Sequence, residues 1–421
     1  MKDSSQSPAL LVRNFGPVRE GFREYGGFIQ FPTMTAFCGP QGSGKSTIAK
    51  LYSTCSWIEK NAFRRQGLAT DTPINTALFR NSTSWQGLDD CFRPETEITF
   101  RGRYLSFRYA SGKVSAVSTI EDDSYDIPKI LYMPAERNIA SVVRDAPGIK
   151  TLPQPLQELL VEFETAKQRL PTFRLPVNGF SYRFDKKKNE SWIVNGRGAD
   201  SSQTHLELAS SGLQSMVPLL LVAESIAGNI RSGSRNPTEF GLSPSEVLAR
   251  RERLERLLEE SDSGSAGSES VILRHLARAT RFVHIVEEPE QNLFPPAQDA
   301  VLNKLLMITR ETPGNQLIVS THSPYLVNHL VLSAKAAELF GRIRDKGSAA
   351  FRKLKRIIPP ESAVPIKEMA LYETSEDGTI SRVPVFHGTF DDSNALNTAL
   401  GAWNRQFEKM LEIEDDLSDG N

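Results

Sequence analysis

The sequence predicts an α/β fold in which parallel strands at the centre are joined by antiparallel strands and helical insertions. Two apolar runs of the kind found in buried strands, Phe282–Val286 and Gln316–Ser320, flank a helical stretch at Pro296–Arg310. This β-α-β order implies parallel strands. Residues Glu97–Val117 instead alternate between apolar and polar, which is typical of antiparallel strands. The third observation is a glycine-rich loop, Gly39–Thr47, between an apolar run and a helical stretch.

Length and composition indicate a globular chain with a sizeable core. The chain has 421 residues, and 39% of them are hydrophobic. Its formal net charge is −1, so any contact with nucleic acid would have to be made by a local patch. The three cysteines, Cys38, Cys55 and Cys91, lack metal-ligand spacing and indicate free thiols in a reducing compartment.

The N-terminus and the apolar segments give no sign of a leader or an anchor. Residues 1–7 lack the apolar core of a signal peptide, and the longest apolar stretch, Val217–Ala223, contains Pro218 and is too short to span a bilayer. We therefore expect a cytoplasmic protein without a membrane partner.

Periodicity predicts the remaining elements. Helices are expected at Thr47–Phe63, Pro155–Leu170 and Leu213–Ile230, and a hairpin at Phe180–Val194. Residues 231–270 are rich in Ser, Gly and Arg, and we expect an insertion there that contains one charged helix, at residues 244–260.

The glycine-rich loop matches the phosphate-binding pattern G-x-x-x-x-G-K-[ST], and its position between a strand and a helix is the one that this chemistry requires. Backbone N–H groups would surround the β-phosphate, Lys45 would neutralise charge on the β- and γ-phosphates, and the Ser46 hydroxyl would bind Mg²⁺. An ordinary glycine turn is the alternative. The predicted nucleotide-binding residues are Gly39, Pro40, Gln41, Gly42, Ser43, Gly44, Lys45, Ser46 and Thr47.

Two strands end in residues that suit phosphate chemistry. The strand Phe282–Val286 runs into Glu287, which we assign to the Mg²⁺ ion, and Glu288, which we assign to the attacking water. The strand Gln316–Ser320 is followed by His322, whose neutral imidazole would hydrogen-bond the γ-phosphate. The alternatives are a solvated acidic turn and a structural histidine.

A second phosphate-binding geometry is predicted at the start of the apolar helix. Two hydroxyls and a glycine at a helix N-terminus favour an anion, and the residues proposed to contact nucleotide are Ser210, Ser211, Gly212 and Gln214. The alternative is a plain helix N-cap.

In this order, the four motifs resemble those of the ABC ATPase superfamily, which has a Walker A loop, a signature, a Walker B strand and a switch histidine. The run Glu-Glu-Pro-Glu-Gln-Asn-Leu-Phe-Pro at 287–295 and Ser-Thr-His-Ser-Pro at 320–324 resemble the RecF/SMC/OLD-like branch more than transporter subunits. Smaller matches, at 41–50, 132–137 and 209–215, are similar to the stand-alone ATPases of Septu- and PARIS-type bacterial anti-phage systems.

The chain departs from the family pattern at several positions. Gln41 replaces the usual Asn of the loop, and Ser211 replaces the first Gly of the signature pair. No glutamine is identifiable for the loop that couples Mg²⁺ to the rest of the fold, and Arg137 lies roughly where that residue is expected.

The resemblance implies a P-loop NTPase fold of the ABC head type, which binds ATP and Mg²⁺ and hydrolyses ATP. It also implies a homodimer or higher homo-oligomer in which the signature of one subunit closes the ATP site of another. The leading hypothesis is a regulatory ATPase of an anti-phage complex that controls a separate effector such as a nuclease. The alternative is a RecF/SMC-like DNA repair ATPase that clamps DNA, and a transporter subunit comes third.

A single composite head is expected over residues 1–400, with a C-terminal helix and acidic tail at 401–421. Its predicted parts are a Walker A lobe at about 8–135, a helical and hairpin insertion at about 138–200, the signature helix at 208–230, the charged insertion at 231–270 and the Walker B and switch region at 280–330.

The output of the predicted ATPase is expected to pass through another chain. After Ser323 the sequence has no Asp-x-Asp pair of the kind that holds two metal ions in Toprim nucleases. The surfaces expected to meet a partner are the 231–270 insertion, the basic segment Lys335–Arg356 and Asp391–Leu411. For the basic segment, a DNA contact and a solvated or protein-binding face both remain open.

Overall fold

The computed structural model describes residues 7–65, 73–119, 125–143, 152–177, 179–196, 202–232, 278–391 and 394–419. The predicted charged helix at 244–260, and all of the 231–270 insertion beyond residue 232, lie outside the described residues.

Helices and strands alternate along much of the chain. The strands are β1 Ala9–Phe15, β2 Gly21–Phe22, β3 Ile29–Gln30, β4 Met34–Cys38, β5 Phe92–Arg101, β6 Leu105–Ala110, β7 Lys113–Thr119, β8 Pro128–Met133, β9 Thr172–Arg174, β10 Ser181–Asp185, β11 Glu190–Asn195, β12 Ser202–His205, β13 Arg281–Glu287, β14 Gln316–Ser320, β15 Met369–Thr374, β16 Thr379–Arg382, β17 Val385–Phe386 and β18 Thr389–Phe390. The helices are α1 Lys45–Arg65, α2 Thr76–Ser84, α3 Ile139–Val142, α4 Gln154–Arg169, α5 Ser211–Ser232, α6 Pro295–Arg310, α7 Pro324–Arg342, α8 Ala349–Ile357 and α9 Ala395–Asp419.

The central sheet has seven strands in the order β2-β16-β15-β4-β14-β13-β8. Its neighbours from β15 to β8 are all parallel, whereas β16 is antiparallel to β15. A five-stranded antiparallel sheet, β3-β1-β5-β6-β7, and a four-stranded antiparallel sheet, β12-β11-β10-β9, complete the main layers. The predicted α/β class with mixed parallel and antiparallel sheets and a P-loop is confirmed.

Side chains on the two faces of the central sheet enter different cores, because successive residues of a strand point to opposite faces. Val283 and Ile285 of β13 pack with α1 and the five-stranded sheet. Phe282 and Val286 pack on the other face, with α4, α5, α6 and α7. The helix that follows the glycine-rich loop is therefore held between two sheets.

Most helices and strands lie where periodicity predicts them. The predicted helices at 47–63, 155–170, 213–230 and 296–310 correspond to α1, α4, α5 and α6, and the predicted hairpin turns between β10 and β11. Strand β15 was not predicted; it pairs with β4 and so places a distant segment beside the glycine-rich loop.

Helix α5 is apolar and long enough to cross a membrane by length and composition alone. However, 67% of its apolar window is buried inside the protein, as expected of a core helix. Its interior Pro218 is itself buried.

Glu59 ties α1 to the five-stranded sheet. Its side chain is buried. One carboxylate oxygen accepts hydrogen bonds from the backbone N–H groups of Tyr104 (2.7 Å) and Leu105 (3.1 Å). The other oxygen accepts a hydrogen bond from the Tyr125 hydroxyl (3.0 Å). A Cβ at Gly102 would lie 1.9 Å from the same carboxylate, so the approach requires glycine there.

We expect Glu59→Ala to lower the free energy of unfolding by about 2–4 kcal/mol, because two buried backbone donors lose their acceptor. Glu59→Gln keeps an acceptor oxygen and should lose less. Urea unfolding followed by circular dichroism measures both. Glu95→Ala, at an exposed position of β5, is the control and should change stability by less than about 0.5 kcal/mol. Equal stability of Glu59→Ala and the control would contradict the assignment.

Candidate functional site

The parallel register aligns the carboxyl ends of three neighbouring strands. Phe37 of β4 pairs with Ser320 of β14, and Ser320 pairs with Glu287 of β13. The residues that follow these strands must then emerge at one edge of the sheet, where ligands bind in open parallel sheets. The fold thus brings together the glycine-rich loop, His322 and the Glu287-Glu288 pair.

The glycine-rich loop has the backbone shape of an anion cradle. Gly39, Gly42 and Gly44 have φ values of 135°, 72° and 99°, which glycine adopts without strain. The loop leads directly into α1, whose first residue is Lys45. The helix N-terminus and the turned backbone amides form the geometry that binds phosphate.

Lys45 is buried and its ammonium group is held by the loop itself. Its Nζ donates to the carbonyls of Gly39 (2.9 Å) and Pro40 (2.6 Å). Burial lowers the lysine pKa, while the nearby carboxylates of Glu288 and Glu290 act in the opposite direction. The adjacent Ser46 is exposed, which suits a hydroxyl that would contact a metal ion and solvent.

Thr374, at the end of β15, braces the loop from the side. Its Oγ1 lies 2.6 Å from the Ser43 Oγ and donates to the Cys38 carbonyl at 3.1 Å. A Cβ at Gly39 would lie 2.2 Å from the Thr374 carbonyl oxygen, so this contact also demands glycine. Sequence reasoning missed Thr374, although the apolar run Met369–Tyr372 before it was a signal for a strand.

Glu287 and Glu288 differ in exposure and backbone shape. Glu287 is buried at the last position of β13, whereas the Glu288 side chain is 41% exposed. Glu288 has φ of 43°, in the left-handed region that a non-glycine residue rarely adopts. Its N–H donates to the Ser320 carbonyl at 2.8 Å, and one of its carboxylate oxygens lies 3.8 Å from the His322 Nε2.

Arg137 fixes the backbone that carries these two carboxylates. Its fully buried guanidinium donates to the carbonyls of Glu287 (2.7 Å) and Glu288 (2.6 Å). Burial lowers its pKa to about 10, a value at which the group remains charged at neutral pH. The sequence pattern put Arg137 roughly where the residue that couples Mg²⁺ to the fold is expected, and that role stays a prediction. Its contact with the two carbonyls left no signal in the sequence, because every residue offers a backbone carbonyl.

Glu290 positions the backbone at His322. One Glu290 carboxylate oxygen accepts from the Thr321 hydroxyl (2.8 Å) and from the His322 N–H (2.7 Å). Burial raises the Glu290 pKa. Burial, with the charge of Lys45 as a smaller cause, lowers the His322 pKa, so the imidazole is neutral at pH 7.

The predicted signature residues lie at the start of α5. Ser210 and Ser211 are exposed, whereas the Gln214 side chain donates to the Glu207 carbonyl at 2.8 Å and so holds the preceding turn. A Cβ at Gly212 would lie 2.6 Å from the Asn292 carbonyl oxygen, because the Glu290–Phe294 loop packs against this helix end. The role of the four signature residues in nucleotide binding stays a prediction.

The signature turn and the glycine-rich loop of the same chain are not joined. Among the described residues, no hydrogen bond or ion pair links 210–212 with 39–47. The two most exposed large apolar side chains in the described part of the chain lie beside the motifs, Leu208 (73%) before the signature and Phe294 (78%) in the loop that packs on it. Tyr325, three residues after the switch histidine, is 50% exposed.

The residues present fit a bound Mg²⁺-nucleotide better than a protein-only metal site. Among the described residues, no group of three or more His, Cys, Asp or Glu side chains could hold a metal ion alone. Mg²⁺ in phosphate sites is bound through one or two protein ligands, phosphate oxygens and water. Ser46 and Glu287 would be the protein ligands, and the loop and Lys45 would hold the phosphates.

No protein-family model matches the chain, and no curated relative matches it. Among solved structures, the SMC head domain from Thermotoga maritima is 13% identical, with 90% of this chain and 98% of that chain covered and a TM-score of 0.37. The Smc head domain with an extended coiled coil from Pyrococcus furiosus, bound to the C-terminal domain of ScpA, is 11% identical, with coverages of 97% and 99% and a TM-score of 0.34. Similarity at this level carries no argument about function, and the fold is defined by the chain's own strand order.

Proposed function

We propose that the protein is an ATPase of the ABC type, related to the RecF/SMC/OLD-like branch. The observation that carries the proposal is the convergence of a glycine-rich phosphate cradle, Glu288 and His322 at the carboxyl ends of adjacent parallel strands. A lysine and a carboxylate beside a phosphate cradle are groups that phosphoryl transfer to water uses, and the imidazole adds a hydrogen-bonding group for the γ-phosphate.

Each side chain has a role set by its position. Lys45 and the loop amides bind the phosphates and offset their charge. Glu288 orients the attacking water and accepts its proton, and the neutral His322 hydrogen-bonds the γ-phosphate oxygens. Mg²⁺, held by Ser46 and Glu287, would supply charge neutralisation at the β- and γ-phosphates.

The proposed active form is a head-to-tail homodimer. In the ABC pattern that the motifs resemble, the signature of one subunit closes the ATP site of another. The exposure of Leu208 and Phe294 supports an interface on the same face, because large apolar side chains beside polar motifs are typical of association surfaces.

For the cellular role, we propose a regulatory subunit of an anti-phage complex, in which ATP-dependent dimerisation controls a separate effector such as a nuclease. The motif resemblance to Septu- and PARIS-type ATPases supports this proposal. The second candidate is a DNA repair ATPase that clamps DNA, which the resemblance to the RecF and SMC branch favours.

ATP binding and ATP hydrolysis should be affected separately by substitutions at two different residues. We expect Lys45→Ala to weaken ATP binding about tenfold to a hundredfold, because it removes a charged hydrogen-bond donor from the phosphates. Glu288→Gln should bind ATP normally but hydrolyse it about 10²–10⁴-fold more slowly, because the amide cannot accept the proton. Titration with a fluorescent ATP analogue and phosphate release measure the two steps.

Lys50→Ala, which removes a lysine from the same helix outside the loop, is the control and should match the wild type in both assays. Wild-type hydrolysis by Glu288→Gln would show that another group activates the water. Unchanged ATP affinity in Lys45→Ala would contradict the assignment of the phosphate site.

Arg137 should affect hydrolysis more than binding. Arg137→Lys cannot donate to both carbonyls at once, so we expect the Glu288 carboxylate to be misplaced and kcat to fall about tenfold to a hundredfold, with the ATP affinity within about threefold. Arg281→Lys is the matched control: Arg281 is also buried and donates to the Asp126 carbonyl (2.9 Å), away from the site. The folded fraction of Arg281→Lys should keep the wild-type kcat, although the variant should be less stable. An equal loss of kcat in both variants would show that Arg137 has only a structural role.

The shared site can be tested by mixing two inactive variants. Gly212 is unsuitable for substitution, because a side chain there would strike Asn292 in the same chain. Ser211→Arg changes an exposed position and should block only the partner's site. Mixed one to one with Lys45→Ala, it should restore about a quarter of wild-type ATPase activity, because half of the dimers are mixed and each has one intact site.

Subunit exchange should be shown with two affinity tags before activity is measured in the mixture. Activity no greater than that of the separate variants, with mixed dimers demonstrated, would mean that the signature acts within its own chain or not at all.

A further inference from the structure

Helix α8 is amphipathic, and its apolar side is already covered. Ser348 caps the helix by accepting the Phe351 N–H at 3.1 Å. The Phe351 ring packs edge-on against Phe340 of α7 with centroids 5.3 Å apart, and Leu354 packs against a cluster formed by Ala336, Ile358 and Ala363. The opposite side of α8 therefore faces solvent.

That solvent-facing side is strongly basic. We use the name basic surface for residues 342–356, the end of α7, the loop and α8. It contains a single acidic residue, Asp345, in a chain whose formal net charge is −1. Its basic residues are all exposed, and they are Arg342, Arg344, Lys346, Arg352, Lys353, Lys355 and Arg356.

Few of these charges are neutralised within the protein. Arg342 pairs with Glu338 at 3.3 Å, and the Arg352 guanidinium donates to the Gly347 carbonyl at 2.5 Å. The other five basic side chains form no ion pair within the described residues. Like charges at this density repel one another. Binding of an anion relieves this repulsion and so lowers the free energy of the protein.

We propose that the basic surface binds the phosphodiester backbone of a duplex nucleic acid. Helix α8 is about 13 Å long, and a DNA duplex presents about eight negative charges over that distance. Its four cations are fewer than that, but they lie within five positions, a rise of about 6 Å, over which the duplex presents about three to four charges. The contact is made without base recognition, and it does not require nucleotide in the ATP site.

The composition of the basic surface favours duplex nucleic acid over other anionic partners. Insertion into an anionic membrane needs a free apolar face, and Phe351 and Leu354 are packed against the protein. Single strands are bound by stacking on exposed aromatic rings, and the basic surface offers none. Protein interfaces have an apolar centre poor in lysine, whereas here Ile357 is the only large apolar side chain that the described part of α8 exposes.

The test is fluorescence anisotropy of a labelled 30-base-pair DNA duplex, titrated without nucleotide at several salt concentrations. We expect micromolar affinity at low salt, with a logarithmic salt slope that reports the number of phosphates contacted. The variant Lys353→Glu/Lys355→Glu/Arg356→Glu should lose at least about tenfold in affinity, and its salt slope should fall by about three.

The matched control is Lys186→Glu/Lys187→Glu/Lys188→Glu, in the exposed turn between β10 and β11, which changes the net charge equally. Thermal melting should show that both variants are folded. Equal losses in the two variants, or no binding by the wild type at low salt, would overturn the proposal.

Binding measurements with other anionic ligands identify which anion the basic surface prefers. Duplex RNA of the same length should bind with similar affinity, because the proposed contact is to the backbone. Tighter binding to a 30-nucleotide single strand than to the duplex would overturn the proposal in favour of single-stranded nucleic acid. Sedimentation with phosphatidylserine vesicles, with no binding of the duplex, would overturn it in favour of a membrane. Because ATP is absent throughout, these results are independent of whether the protein hydrolyses ATP.

Discussion

The parallel pairing of β4, β14 and β13 is the constraint on which the candidate site depends. Backbone hydrogen bonds fix Phe37, Ser320 and Glu287 in one row across the sheet. The residues that follow are thereby placed side by side, although Phe37 lies 250 positions before Glu287 and 283 positions before Ser320. A slip of one residue in β13 would turn Glu287 to the other face, because side chains alternate along a strand. The buried, mostly apolar character of β13 and β14 makes such a slip costly.

Around this row, the fold holds the reactive groups through backbone contacts. Arg137 binds the carbonyls of Glu287 and Glu288, and Thr374 binds the Cys38 carbonyl and the Ser43 hydroxyl. Glu288 has a left-handed φ, which costs free energy and persists only where the surroundings impose it. The two carbonyl contacts and the Ser320 hydrogen bond supply that restraint, and they turn the carboxylate toward His322.

Local patterns were sufficient to predict the elements, the glycine-rich loop and the residues at the ends of β13 and β14. Such features are encoded by neighbouring residues, as in the apolar run before Glu287 or the glycines before Lys45. The position of β15, the contact of Thr374 and the target of Arg137 could not be predicted in this way. They depend on pairings between distant segments and on backbone acceptors that any sequence provides. The close approach of Gly212 to Asn292 could not be predicted for the same reason, because the two residues belong to motifs that are far apart in the sequence.

The segment that contains Arg137 also reaches the signature. Four residues after Arg137, the Ser141 hydroxyl donates to the Gln214 carbonyl at 2.7 Å, and the Gln214 side chain holds the Glu207 carbonyl. The backbone of Glu288 and the first turn of α5 are thus connected through one short stretch, residues 137–141. In the proposed dimer these two ends belong to different ATP sites, since a subunit gives its loop to one site and its signature to the other. Arg137 and Ser141 therefore form a direct physical link between the residue assigned to the water of one proposed site and the signature assigned to the other.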